Sequence, residues 1–303
     1  MIRLMREIGP LFVIIAALLW SIDGILRRGL YTVPPAVVVF YEHLLGAVIL
    51  LPFLGTWLSE VKKMRFSEWI AILVVSLFSG ALGTILYTAA LGKVNYIQFS
   101  VVVLLQQLQP VWAILMARLL LKEQLTRSFL LWATLALSAS YLVTFKNLSV
   151  AVTPGDATLF AAFLALGAGV MWGSSTAISK YVLNKVSFLT ATSLRFFFAP
   201  LFALLFIVKD SHVSDLFILT ASQWESLLLI TFSSGLVALA FYYYGLKKTK
   251  AGVTTICELV WPASALFIDY FYFKTSLSLT QWIGVGILLF SIYKITGFRK
   301  ENG

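Results

Sequence analysis

Ionisable side chains are scarce in these 303 residues, at 12% Asp, Glu, Lys and Arg, and several stand inside long apolar runs. A charge at the centre of a bilayer costs about 2.5–3.5 kcal/mol on insertion scales, so such residues mark substrate, ion or proton sites by default. Glu258 has the strongest claim. It stands one turn before Trp261 and Pro262, on the helix face that carries Trp261 and Thr254. At that depth a carboxylate needs a partner, water, a bound cation or a proton. With Trp261 beside it, it could hold an ammonium group over a π surface, worth about 2 kcal/mol when desolvated. A bond to Gln106 or to another helix would instead make it structural. Glu42 and its neighbour His43 form a candidate proton or charge site, and Glu42 could equally bind substrate or pair with Arg28. Arg195, nearly at the repeat position of Glu42, reads as an anchor on a helix C-terminus. Arg27, Arg28 and Lys180 lie near the ends of their runs, where long side chains reach the interface, and read as topological. Asp23 and Asp269 also lie near run ends.

The polar residues around Glu258 have a counterpart earlier in the chain. Gln98 to Glu123 is long and apolar enough to span a bilayer, yet its middle holds Gln106, Gln107 and Gln109, followed by Pro110. The design returns 152 residues later in Lys250 to Tyr272, where Pro262 answers Pro110, Glu258 answers Gln106 and Trp261 answers Gln109. Proline-interrupted, polar-centred spans at matching places in two halves point to a transporter binding site. The two prolines weaken a turn in each span, so Pro110 and Pro262 are expected points of helix flexing. Trp20 and Trp172 stand at the same 152-residue spacing, each followed by small hydroxyl residues. With Tyr87 and Tyr242 they could line a cavity, or serve tight helix packing, which also favours small residues. Substrate binding is therefore expected at Glu258, Trp261, Gln106, Gln109, Trp20, Trp172, Tyr87 and Tyr242. The sequence contains no nucleophile–base pair and no phosphate loop. Its one cysteine and two distant histidines give no metal-ligand spacing. An enzyme or a sensor is the weaker class, and no cofactor or metal is called for, with coupling to protons left open.

These residues must be carried by membrane spans. The chain is 60% hydrophobic with a mean hydropathy of +0.93, against about 45–50% apolar for a soluble domain. Ten apolar runs can be marked, at roughly 8–29, 36–55, 68–91, 95–121, 127–146, 157–181, 189–208, 224–246, 251–273 and 279–297. With a cytoplasmic N-terminus, sixteen Lys and Arg fall on the inner side and six on the outer, so both termini are expected in the cytoplasm. The net charge of +10 is thus topological and no nucleic acid is implied. FYEHLLGAVILLPF (40–53) and SLRFFFAPLFALLF (193–206) add to the repeat at an offset of 153. Five runs in each half, 1–146 and 147–303, is an odd number, so the second copy must enter the membrane the other way up.

The runs YTAALGKVNYIQFSVVVLLQQLQPVWAILMARLLLKEQLT (87–126) and FYYYGLKKTKAGVTTICELVWPASALFIDYFYFKTSLS (241–278) resemble the repeat signature of EamA-type members of the drug/metabolite transporter superfamily. That resemblance implies ten helices in two inverted five-helix repeats, both termini inside, and export or exchange of small metabolites. Its relatives include amino-acid exporters and a choline transporter. Two departures stand out: Lys122-Glu123 takes the place of the family's Gly-Glu, and the second copy has Lys274-Thr275.

The expectation is an all-α, multi-pass protein of a prokaryotic-type inner membrane. It would carry small amphiphilic metabolites such as amino acids by alternating access, or alternatively organic cations. Its partners are a small-molecule substrate and the lipid bilayer, and a monomer is compatible with the sequence. The orientation is directly testable. With Cys257 replaced, a membrane-impermeant thiol reagent added outside should label cysteines placed at positions 149 and 211 and spare those at 62 and 247. The reverse pattern would overturn both the orientation and the inversion.

Overall fold

The computed structural model describes residues 8–92, 105–148, 156–271, 274 and 276–297. Residues 98–104 of the first polar-centred run, Ser149, and the side chains of Arg28 and Asp269 lie outside the described residues. The fold is all-helical among the described residues: α1 (Gly9–Leu26), α2 (Pro35–Val61), α3 (Phe66–Gly92), α4 (Gln109–Leu120), α5 (Arg127–Thr144), α6 (Asp156–Leu183), α7 (Phe188–Lys209), α8 (Ala221–Lys248), α9 (Ala251–Cys257 and Val260–Phe271) and α10 (Leu279–Gly297). Eight of these segments are long and apolar enough to cross a membrane, while α4 is a shorter apolar helix.

Breaks in the helices follow the chemistry of the chain. Pro52 sits in a 3-10 turn within α2. Pro110 opens α4, where its missing N–H would have no intrahelical acceptor in any case. The turn that contains it is closed by Val111 N donating to Leu108 O at 3.0 Å. In α9 the helix stops at Cys257, turns through Glu258 and Leu259, and resumes at Val260, with Trp261 N donating to Glu258 O at 2.9 Å. Two π-helical segments occupy matching places, Ser76–Leu82 in α3 and Thr231–Val237 in α8. Each contains a Ser-Gly pair, Ser79-Gly80 and Ser234-Gly235, and such bulges often mark functional sites.

The first helix of each half packs into the other half. α1 lies against the C-terminal part of α8 and against α9, while α6 lies against α3 and α4. α2 packs on α7, and α5 on α10. Small residues permit these approaches. A Cβ at Gly245 would stand 2.6 Å from the Gly9 carbonyl oxygen, and one at Gly173 would stand 2.9 Å from Trp112 Cβ. The halves are therefore interlocked, and any cavity between them is walled by both.

Lys122 and Lys274 have positive φ, 54° and 56°. Glycine takes that left-handed conformation freely, whereas a side chain costs about 1–2 kcal/mol there. The next residue justifies the turn at Lys122. Glu123 accepts from Ala251 N at 2.7 Å and Gly252 N at 3.1 Å, placing a carboxylate on the N-terminus of the first part of α9. Glu60 ties α2 to α7 in the same way, accepting from Ser187 N at 2.6 Å and the Thr190 hydroxyl at 2.7 Å.

Candidate functional site

The π-helical segments fix the first layer of the site. Trp20 of α1 donates its indole N–H to Ser234 O at 2.9 Å, and Trp172 of α6 donates to Ser79 O at 3.2 Å. Each indole also packs on a tyrosine, Trp20 on Tyr242 and Trp172 on Tyr87, both with ring centroids 5.2 Å apart. The two clusters are copies of one arrangement, and each is assembled from both halves. Each indole thus meets a serine carbonyl within a π-helical segment, and Ser79 O accepts in addition from Thr84 Oγ1 at 3.1 Å.

Between the clusters lies a cavity lined by residues of both halves. Among its lining residues are all the candidates singled out from sequence: Glu258, Trp261, Gln106, Gln109, Trp20, Trp172, Tyr87, Tyr242, Glu42, His43, Pro110 and Pro262. Glu258 accepts from Gln109 Nε2 at 2.7 Å and from the Tyr242 hydroxyl at 2.9 Å. Its partner across the halves is thus Gln109 rather than Gln106, whose Oε1 is buried with no hydrogen-bond partner. Gln107 turns toward α5, donating to Thr144 Oγ1 at 2.9 Å and accepting from Ser140 Oγ. His43, 3% exposed, donates Nδ1–H to Val39 O at 3.0 Å and packs on Phe196.

The charged residues require corrections. Arg27, expected to reach an interface, is 4% exposed and lies between two acids. Its Nε–H donates to Asp23 Oδ2 at 2.5 Å and its Nη2–H to Glu42 Oε2 at 2.8 Å. Nη1 reaches Thr88 Oγ1 at 3.3 Å, and Ser234 Oγ donates to Asp23 Oδ1 at 2.7 Å. Glu42 therefore pairs with Arg27, and Asp23 joins the cavity wall. Position near a run end suggested snorkelling, but one turn of helix puts Asp23 and Arg27 on the same face, turned inward against α2 and α8. Arg195 likewise lines the cavity rather than capping a helix C-terminus. It donates to Ser79 O at 2.9 Å and to the Tyr243 hydroxyl at 3.4 Å. Lys180 donates to Leu246 O and Lys247 O, both at 2.8 Å, at the C-terminal end of α8. Asp23, Arg27, Ser79, Ser234 and Arg195 were missed as site residues. For Asp23 and Arg27, their i, i+4 spacing beside Trp20 was the available signal.

Comparison with known proteins agrees with this architecture. The EamA-like transporter family model matches twice, over residues 7–145 and 159–297. The chain is 36% identical to "Riboflavin transporter ImpX" of Fusobacterium nucleatum, over 95% of this chain and 97% of that protein. It is 26% identical to "Protein LicB" of Haemophilus influenzae over 94% and 98%, and 23% identical to "Uncharacterized transporter YwfM" of Bacillus subtilis over 98% and 96%. A solved crystal structure superposes with a TM-score of 0.76 at 14% identity, covering 97% of this chain and 98% of that one, so the fold is shared.

The Asp23–Arg27–Glu42 cluster gives a stability test. Removing the guanidinium leaves two buried carboxylates without their counter-charge, and breaking a buried pair this way costs about 3–5 kcal/mol. Arg27→Met should lower the melting temperature of the purified protein sharply, while the triple change Asp23→Leu, Arg27→Met, Glu42→Leu should recover most of the loss. A single variant as stable as the parent would show that water already satisfies these charges.

Proposed function

Because this chain belongs to the EamA-like transporter family, we propose that it moves a flat heteroaromatic metabolite of the riboflavin type through the cavity between its halves. The chain is an integral, multi-pass membrane protein and a transporter of small metabolites. The observation that carries the substrate reading is the pair of Trp–Tyr clusters lining one cavity. Rings of this kind offer large, rigid surfaces on which a planar ligand stacks, and aromatic pairs add about 0.5–1.5 kcal/mol beyond buried area. Beside the rings the lining places polar groups, Gln106, Gln109 and Glu258 among them, that would fix a ligand's orientation. The 36% identity to a protein named a riboflavin transporter supports the same reading.

Amino acids and organic cations rank behind it for a physical reason. Both bring an ammonium group, which asks for a carboxylate to meet it. Asp23 and Glu42 share Arg27, so among these lining carboxylates only Glu258, which meets two neutral donors, is left to take an ammonium group.

The proposed mechanism is alternating access. Ten spans in two inverted repeats, residues 1–146 and 147–303, would sit in a cytoplasmic membrane with both termini inside. α1 and α6 would rock against the opposite halves while α4 and α9 flex at Pro110 and Pro262. One chain supplies the whole cavity wall, which suits a monomer, and the carrier would need no cofactor.

Riboflavin fluoresces, and stacking on indole quenches it, so binding to the purified protein can be read directly. Quenching should saturate with the parent, and Trp20→Leu and Trp172→Leu should each weaken it about tenfold, the equivalent of about 1.4 kcal/mol. Absence of saturable quenching, with choline or an amino acid instead raising thermal stability in a Glu258-dependent way, would replace this reading with the ammonium one.

A further inference from the structure

The two halves carry charges at matching places but not in matching pairs. Glu42 and Arg195 stand 153 residues apart, and each lies against the π-helical glycine of the half to which it does not belong. A Cβ at Gly235 would stand 3.7 Å from Glu42 Cγ, and one at Gly80 would stand 3.6 Å from Arg195 Cγ. On the Glu42 side the acid is met by Arg27, which Asp23 holds in place. The positions 152 residues after Asp23 and Arg27 are Ser175 and Ser179. On the second side, then, a cation replaces the acid and hydroxyls replace the residues that would pair with it.

Arg195 is left short of acceptors. Two of its donors meet Ser79 O and the Tyr243 hydroxyl, its Nε–H has no acceptor, and no described carboxylate lies within 4.0 Å of it. Ser175, 1% exposed, has a hydroxyl without a partner. Both residues line the cavity. Ser179 Oγ is 3.2 Å from the same Tyr243 hydroxyl that Arg195 meets. A guanidinium in a low-dielectric wall with an unmet donor is an unfavourable arrangement unless something brings the missing negative charge.

We infer that Arg195 and Ser175 form an oxyanion subsite in the cavity wall, taking a carboxylate or phosphate oxygen. The inference rests on the cavity being the transport site. The oxygen belongs either to the transported molecule or to a small inorganic anion bound beside it, and the chemistry at Arg195 is the same in both cases.

The test uses ligand pairs that differ in charge, with thermal melting of the full-length protein at constant ionic strength as the readout. Riboflavin 5′-phosphate is compared with riboflavin, 2-naphthoate with 2-naphthamide, and sodium phosphate is measured alone. In the parent the charged member of each pair should half-saturate at about tenfold lower concentration. Arg195→Gln should abolish that preference and Arg195→Lys should retain it. Ser179→Asp, which places a carboxylate near the guanidinium, should abolish it with Arg195 intact, so the inference stays testable if Arg195→Gln does not fold. An Arg195-dependent shift with sodium phosphate alone assigns the subsite to a free anion. If no anion gives an Arg195-dependent shift, the inference is overturned. A naphthoate preference without riboflavin binding would leave the subsite standing and remove the flavin reading.

Discussion

Arg27, held between Asp23 and Glu42, is the interaction on which the centre of this protein depends. Hydrocarbon offers no water to a charged or polar group, so each must find its partner inside the protein. Asp23 and Arg27 belong to α1, Glu42 to α2, and Ser234, which completes the shell of Asp23, to α8. Satisfying the guanidinium joins helices of the first half, and satisfying Asp23 brings in α8 of the second. The packing of α1 against α8 and α9 is the geometric counterpart of that demand.

The π-helical turns serve the same requirement by another route. Each places a serine carbonyl, of Ser79 or Ser234, where an indole from the first helix of the other half donates to it. The indoles are thereby held at fixed angles beside Tyr87 and Tyr242, presenting rigid aromatic walls. Rigid walls give a ligand a preorganised surface. The polar floor between them, Glu258 with Gln109 and Tyr242, again joins the halves through side chains.

Much of this was legible before any coordinates. The 152-residue offset that links Trp20 to Trp172 and Pro110 to Pro262 picked out residues that line one cavity, because duplicated segments carry like side chains at corresponding places in the two halves. What stayed hidden depended on contacts between helices distant in sequence. Arg27 looked like an interfacial residue because only the approach of α2 and α8 shows that its end of α1 is enclosed. Tyr87 and Tyr242 were named from sequence, but Ser79 and Ser234, which share their spacing of 155 residues, carried no signal of their own. A π-helical turn has no sequence period of its own, and a serine carbonyl that accepts an indole bond is invisible in a string of residue types. The lysines at positive φ were visible only as departures from a family's glycine, without their conformational cost.

The account makes the space between the two Trp–Tyr clusters the place where the substrate sits. A cryo-electron microscopy structure of the protein saturated with riboflavin tests this most directly. The predicted result is planar density in van der Waals contact with Trp20 or Trp172, with hydrogen bonds to Gln106 or Gln109. Riboflavin density outside this cavity, with both indole–serine bonds undisturbed and the cavity empty, would contradict it.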